Sequence, residues 1–107
     1  PRMSGFRNSV NDQILFYSTA GGASVNSGVS VPAGDFAKSA FAVSPIGASI
    51  AVNGTSQNGV STRSIDGATE LHLGREHASY ASDRIYIKRL TYWPTRQSDS
   101  TLQVITQ

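Results

Sequence analysis

The sequence predicts an all-β protein, an antiparallel β-sandwich, and three observations lead to this prediction. Only 38% of the residues are hydrophobic and 15% charged, and the Ser, Thr, Gly and Asn that replace them favour strands and turns over helix interiors. Apolar and polar residues alternate over 25–31, 39–43 and 48–52, with the two-residue period of a half-buried strand. Asn53-Gly54 is the preferred pair for the tight type I′ turn of a hairpin, because both of its positions need positive φ.

The length of 107 residues predicts a single domain spanning 1–107. The chain has no Cys, which excludes a disulfide scaffold and a thiolate metal site. No apolar run approaches the roughly 18–20 residues that a membrane span needs, and the sequence contains no recognisable signal peptide. Because it begins at Pro1 without an initiator Met, we expect a processed product or a fragment.

The N-terminal half is predicted to contain most of the strands. Residues 1–12 have little periodicity and are interpreted as an arm or loop. The apolar run 14–17, followed by glycines, predicts one strand, and the alternation over 25–31 predicts a second. Residues 38–59 predict a three-stranded meander that turns at Asn53-Gly54.

The C-terminal half is predicted to continue the sheet. Alternation over 69–73 predicts a strand, 74–83 a polar loop, and 84–93 a long strand with a β-bulge near Lys88-Arg89. Pro94 ends that strand, because proline cannot donate to a ladder. Ser98 is a candidate N-cap for a short C-terminal helical turn with Leu102 and Ile105 on one side. A terminal strand is the alternative.

No arrangement in the sequence points to catalysis. A triad needs a nucleophile, a base and an orienting acid within reach of one another, and His72 and His77 have no supporting motif around them. The seven acidic residues are scattered, so a carboxylate pair for glycoside hydrolysis is not indicated. The net charge of +2 is interpreted as a solvated strand face, since a nucleic-acid surface would need a denser basic patch.

Calcium is the one cofactor that the residue types leave open. Asp66 beside Gly67 in a predicted turn, and Asp83, are candidate ligands, although they lack the clustered acids of a strong calcium motif. Asn53-Gly54-Thr55 also matches the acceptor pattern for N-glycosylation. We interpret it as hairpin chemistry.

The aromatic residues supply candidates for a binding site. A flat ring can stack on the apolar face of a sugar while polar side chains bind its hydroxyls, and loops at the end of a sandwich commonly carry function. For Tyr92 and Trp93 the alternative is packing in the core or an interface. The candidate glycan-binding residues are Arg75, His77, Tyr80, Tyr86 and Trp93.

Two segments resemble a known family. The first is the pair of stretches FAKSAFAVS at 36–44 and GASIAVNG at 47–54. The second is LHLG at 71–74, then IYIKRLTYWP at 85–94 and SDSTL at 98–102. Their order over 14–107 resembles the concanavalin A-like, laminin-G-like β-sandwich, of the kind found at the C-termini of bacteriophage tail and fibre proteins.

The resemblance implies a jelly-roll fold and a non-catalytic carbohydrate-binding, host-recognition module of a phage virion, in its tail or fibre. The alternative is a structural or oligomerisation module of the tail; a glycan-degrading enzyme is less favoured. The implied partners are host surface polysaccharide, other virion subunits or further copies of the chain, with no nucleic acid and no membrane span. The implied location is the virion, or otherwise the extracellular space.

The length of the chain bears on whether its β-sandwich is complete. Domains of this family usually contain further N-terminal strands, whereas the resemblance here begins close to the start of the chain. Either residues 1–12 supply a minimal edge, or the chain is the C-terminal part of a longer protein. An incomplete sandwich would expose sheet edges, which can pair with another chain.

Overall fold

A computed structural model describes residues 3–7, 11–18, 24–44, 47–59, 71–73 and 85–107, and all structural statements concern these. They form two three-stranded antiparallel sheets, with strand orders β1-β2-β3 and β4-β5-β6, and one short helix. The protein is therefore mostly β, as predicted. The elements in chain order are β1 (Met3–Arg7), β2 (Gln13–Ser18), β3 (Ser24–Ser30), β4 (Ser39–Ser44), β5 (Gly47–Val52), β6 (Thr55–Gly59) and α1 (Asp99–Ile105).

The β5–β6 hairpin confirms the predicted turn. Asn53 and Gly54 have φ values of 48° and 85°, the positive values that a type I′ turn requires at both central residues. The turn is also tied to the chain before β4, because the Lys38 N–H donates to Asn53 Oδ1 at 3.0 Å and the Asn53 N–H donates to the Lys38 carbonyl at 2.9 Å. The meander over β4, β5 and β6 is confirmed with it.

β5 is the centre of the fold, and all six of its residues are buried. Successive side chains of a strand point to opposite faces of the sheet, so burial of every residue requires a cover on both faces. On one face Ile50 and Val52 pack with Val25 of the first sheet and with Val31, which follows β3. On the other face Ala51 joins a second cluster, formed by Ala40, Ala42, Ala51 and Leu102.

α1 supplies the cover on that second face. Ser98 is its N-cap, and the Ser98 side chain accepts a hydrogen bond from the Thr101 N–H at 3.2 Å, as predicted. A helix rather than the alternative terminal strand therefore ends the described chain. The predicted pairing of Leu102 with Ile105 on one side of the helix is wrong. Ile105 is 38% exposed, and Thr106 is buried in its place. Leu102 and Thr106 are four residues apart and so share one helix face.

The ladder between β2 and β3 contains an irregularity. Gln13 pairs with Ser30, but Leu15 pairs with Asn26, so the register shifts between them. The extra residues of β3 form a bulge, in which the Val29 N–H donates to Ser27 Oγ at 3.1 Å. The predicted strands over 14–17 and 25–31 are confirmed as β2 and β3.

Three local predictions are wrong. Residues 3–7 are not an arm or loop, because they form β1, which pairs with β2 from Met3↔Ser18 to Arg7↔Ile14. Residues 85–93 and 71–73 are not strands, so the predicted bulge at Lys88-Arg89 does not arise. A strand needs a neighbouring edge to accept its ladder hydrogen bonds, and alternation alone does not provide one. The remainder of the predicted strands and the loop over 74–83 lie outside the described residues.

Candidate functional site

A groove of about 570 Å³ lies between residues 31–36 and the side chains of Ile85 and Tyr86. Ligand sites of small molecules commonly occupy roughly 300–1,000 Å³. Its two aromatic residues are accessible, since Phe36 is 58% and Tyr86 72% exposed. The groove can therefore present two rings to a ligand from solution.

A tight turn builds one wall of this groove. Val31 follows directly after β3, and its N–H donates to the Asp12 carbonyl at 2.7 Å. The Asp35 N–H donates to the Pro32 carbonyl at 3.1 Å, and Gly34 has a φ of 93°, the positive value that a type II turn requires at its third residue. These bonds set the direction in which the chain presents Asp35 and Phe36.

Lys88 connects the two walls. Its Nζ lies 4.1 Å from the centroid of the Phe36 ring, within the range of a cation–π interaction. The groove and its rim thus contain two aromatic rings, the exposed Asp35 carboxylate and one ammonium group. The aromatic rings can stack on the ring of a ligand, while the carboxylate and the ammonium group can form hydrogen bonds with its hydroxyls.

The structure places two of the five predicted site residues. Tyr86 lines the groove. Trp93 lies in the same irregular segment and is 42% exposed, but it does not line the groove. The other three candidates, Arg75, His77 and Tyr80, lie outside the described residues.

Sequence reasoning missed Phe36, Asp35 and Lys88 as site residues. Phe36 enters the sequence analysis only as the first residue of the resemblance at 36–44, and Lys88 only as part of the predicted strand over 84–93. The available signal was the Pro32-to-Asp35 turn directly before an aromatic residue, because turns that join strands often carry binding residues.

A second polar cluster consists of Ser49, Asn58, Arg96 and Asp99. Ser49 is fully buried; its Oγ accepts from Arg96 Nη2 at 2.7 Å and donates to Asn58 Oδ1 at 2.9 Å. Arg96 Nη2 also lies 3.5 Å from Asp99 Oδ1. The cluster thus connects β5, β6 and the start of α1, and satisfies a hydroxyl that would otherwise be costly to bury.

The same cluster lowers the pKa of the Asp99 carboxyl. The Ser49 hydroxyl is the main cause, followed by the Asn58 side chain and the Arg96 guanidinium, while partial burial acts in the opposite direction. These groups favour the charged carboxylate. Because the Ser49 hydroxyl is buried and already bonded, we interpret the cluster as a structural contact rather than a nucleophilic site.

Metal ligands and membrane-spanning segments are the remaining candidate features among the described residues. They contain no group of three or more His, Asp or Glu side chains that could hold a metal ion. The calcium candidates Asp66 and Asp83 lie outside them. The helix found in this part of the chain is too short to cross a membrane.

Comparisons with known proteins add no identification. No protein family, no curated protein and no solved structure matches the chain.

Proposed function

We propose that this chain is a non-catalytic carbohydrate-binding module that binds sugar in the groove between residues 31–36 and Tyr86. The observation that carries the proposal is the pair of exposed rings, Phe36 and Tyr86, on one open groove beside the Asp35 carboxylate. Aromatic faces stack on the apolar face of a sugar, and a carboxylate accepts hydrogen bonds from its hydroxyls.

The biological setting belongs to the same proposal. The resemblance to concanavalin A-like domains supports a jelly-roll arrangement and a host-recognition role in a phage tail or fibre, where the partner is a host surface polysaccharide. Arg75, His77, Tyr80 and Trp93 remain candidate ligand residues within it. Two stacked antiparallel sheets are compatible with this arrangement.

The test is titration of the full chain against a broad set of oligosaccharides and host polysaccharides. We expect dissociation constants in the millimolar to micromolar range, because the site is shallow and its rings are solvated. Tyr86→Ala should weaken binding about fivefold, since a ring contact contributes roughly 1 kcal/mol. Tyr86→Phe should retain most of it.

Tyr92→Ala is the matched control. Tyr92 is 83% exposed in the same segment but does not line the groove. Its replacement should leave binding unchanged. Equal losses in Tyr86→Ala and Tyr92→Ala would place the sugar elsewhere, and no binding to any glycan would refute the proposed function.

A structural or oligomerisation module is the second candidate. The observation that favours it is the apolar surface of residues 85–93, where Ile85, Ile87 and Leu90 are 48%, 48% and 60% exposed. Large exposed apolar patches often mark protein contacts. Light scattering after size exclusion tests this candidate: a stable oligomer that Leu90→Glu dissociates would support it, whereas a monomer that binds sugar would exclude it.

A further inference from the structure

The charge of the segment beside the groove is one-sided. Residues 85–98 contain Lys88, Arg89 and Arg96, and no Asp or Glu. Arg96 is engaged by Asp99 and Ser49. Ion pairs between described residues do not engage Lys88 or Arg89, and both residues are exposed.

Lys88 is placed to act on a ligand of the groove. Lys88 Nζ sits over the Phe36 ring, which itself lines the groove with Tyr86. Arg89 is the next residue in the chain. A ligand that stacks on the exposed rings would thus reach an ammonium group already held at the rim.

We propose that the ligand of the groove is an acidic glycan, a chain of uronic-acid sugars whose carboxylates pair with Lys88 and Arg89. The inference rests on the proposed function and narrows its ligand class. Lys88 and Arg89 supply the charge complementarity, and Asp35 supplies an acceptor for sugar hydroxyls. Single-stranded DNA also combines negative charge with stacking bases, but its chain offers no hydroxyl for Asp35.

The test compares two ligands that differ in the charge of their carboxyl groups and in one methyl group on each sugar. Oligogalacturonate and its methyl ester share the sugar ring and linkage, and only the first carries free carboxylates. The full chain should bind oligogalacturonate about fivefold more tightly at low salt, because exposed ion pairs contribute modestly. This preference should shrink as salt is added, because added ions screen exposed charges.

Variants test whether Lys88 and Arg89 cause the preference for oligogalacturonate over its ester. The double variant Lys88→Gln with Arg89→Gln should bind both ligands equally, at the strength with which the unmodified chain binds the ester. Lys38→Gln is the control for the loss of a positive charge elsewhere in the chain, because its ammonium is already bonded to the Gln107 main-chain oxygen at 2.5 Å. It should keep the preference.

Each outcome decides between the two proposals. Equal or stronger binding of the ester would overturn the acidic ligand and leave the carbohydrate-binding function standing. Binding of neither sugar, nor of any neutral glycan, would overturn both. A thymidine oligonucleotide that binds as tightly as oligogalacturonate, and competes with it, would replace the glycan by nucleic acid.

Discussion

The side-chain oxygen of Thr106 accepts a hydrogen bond from the main-chain N–H of Gly54 at 3.1 Å. Thr106 is the C-cap of α1, and Gly54 lies in the turn between β5 and β6. The same hydroxyl donates to the Leu102 carbonyl at 2.8 Å, and the residue is buried. One side chain therefore joins the end of the helix to the hairpin that it covers.

Thr106→Val should destabilise the protein by about 1–2 kcal/mol, because it keeps the shape of the side chain but leaves the Gly54 N–H without its acceptor. Urea unfolding measures the change. Thr106→Ser keeps the hydroxyl and should lose much less. Equal losses in the two variants would show that the methyl group, rather than the hydrogen bond, matters here.

Gly59→Ala should destabilise the contact between the two sheets by about 1–3 kcal/mol, the usual cost of overfilling a packed core. A Cβ on Gly59 would collide with the Val25 side chain, which is buried between the sheets. A double-mutant cycle with Val25→Ala measures the collision. The double variant should be more stable than the sum of the two single losses predicts, and strict additivity would contradict this packing.

Leu102→Ala should cost about 2–4 kcal/mol, because Leu102 is 1% exposed and fills the space between α1 and the second face of β5. Thermal or urea unfolding measures the loss. Val104→Ala is the matched control on the same helix, since Val104 is 65% exposed. Alanine has the highest helix propensity, so a loss of the same size at both positions would contradict the packing of Leu102 as its cause.

Asp99→Asn should lower the free energy of unfolding at neutral pH by at most about 1 kcal/mol, since its ion pair with Arg96 is partly solvated. The pKa of Asp99 is lower in the folded protein than its ordinary value of 3.8. Its contribution is therefore complete above the unfolded pKa and disappears as the pH falls through the folded one.

Urea unfolding of both proteins between pH 7 and pH 2 tests this prediction. The stability difference between the unmodified chain and Asp99→Asn should be constant at neutral pH and shrink below about pH 4. A difference that grows on acidification would have the wrong sign, and would show that the carboxylate is not stabilised by Ser49, Asn58 and Arg96.

The features that sequence reasoning predicted correctly are those whose cause lies within a few residues. The turn at Asn53-Gly54 follows from the tolerance of these two residues for positive φ. The start of α1 follows from a serine hydroxyl that caps the N–H of Thr101, three residues later. The alternation over β3 and β5 likewise predicts strands from local pattern alone.

The site could be predicted only in part. Tyr86 is a predicted glycan-binding residue, and it lines the groove. Its neighbours Phe36 and Lys88 are 52 residues apart in the chain, and no local pattern indicates that the Lys88 ammonium lies over the Phe36 ring. The alternation over 85–93 predicted a strand because it resembles that of a paired strand, but the pattern carries no information about a partner edge.

The sequence by itself determined that the chain is β-rich, where its central hairpin turns, and where its C-terminal helix begins. The tertiary structure decided that β1 pairs with β2, that β5 is covered on both faces, and that residues 31–36 meet Tyr86 at one groove. The division has a physical reason. Turns and caps depend on the backbone preferences of a few adjacent residues, whereas strand partners, covered faces and grooves depend on which distant segments pack together.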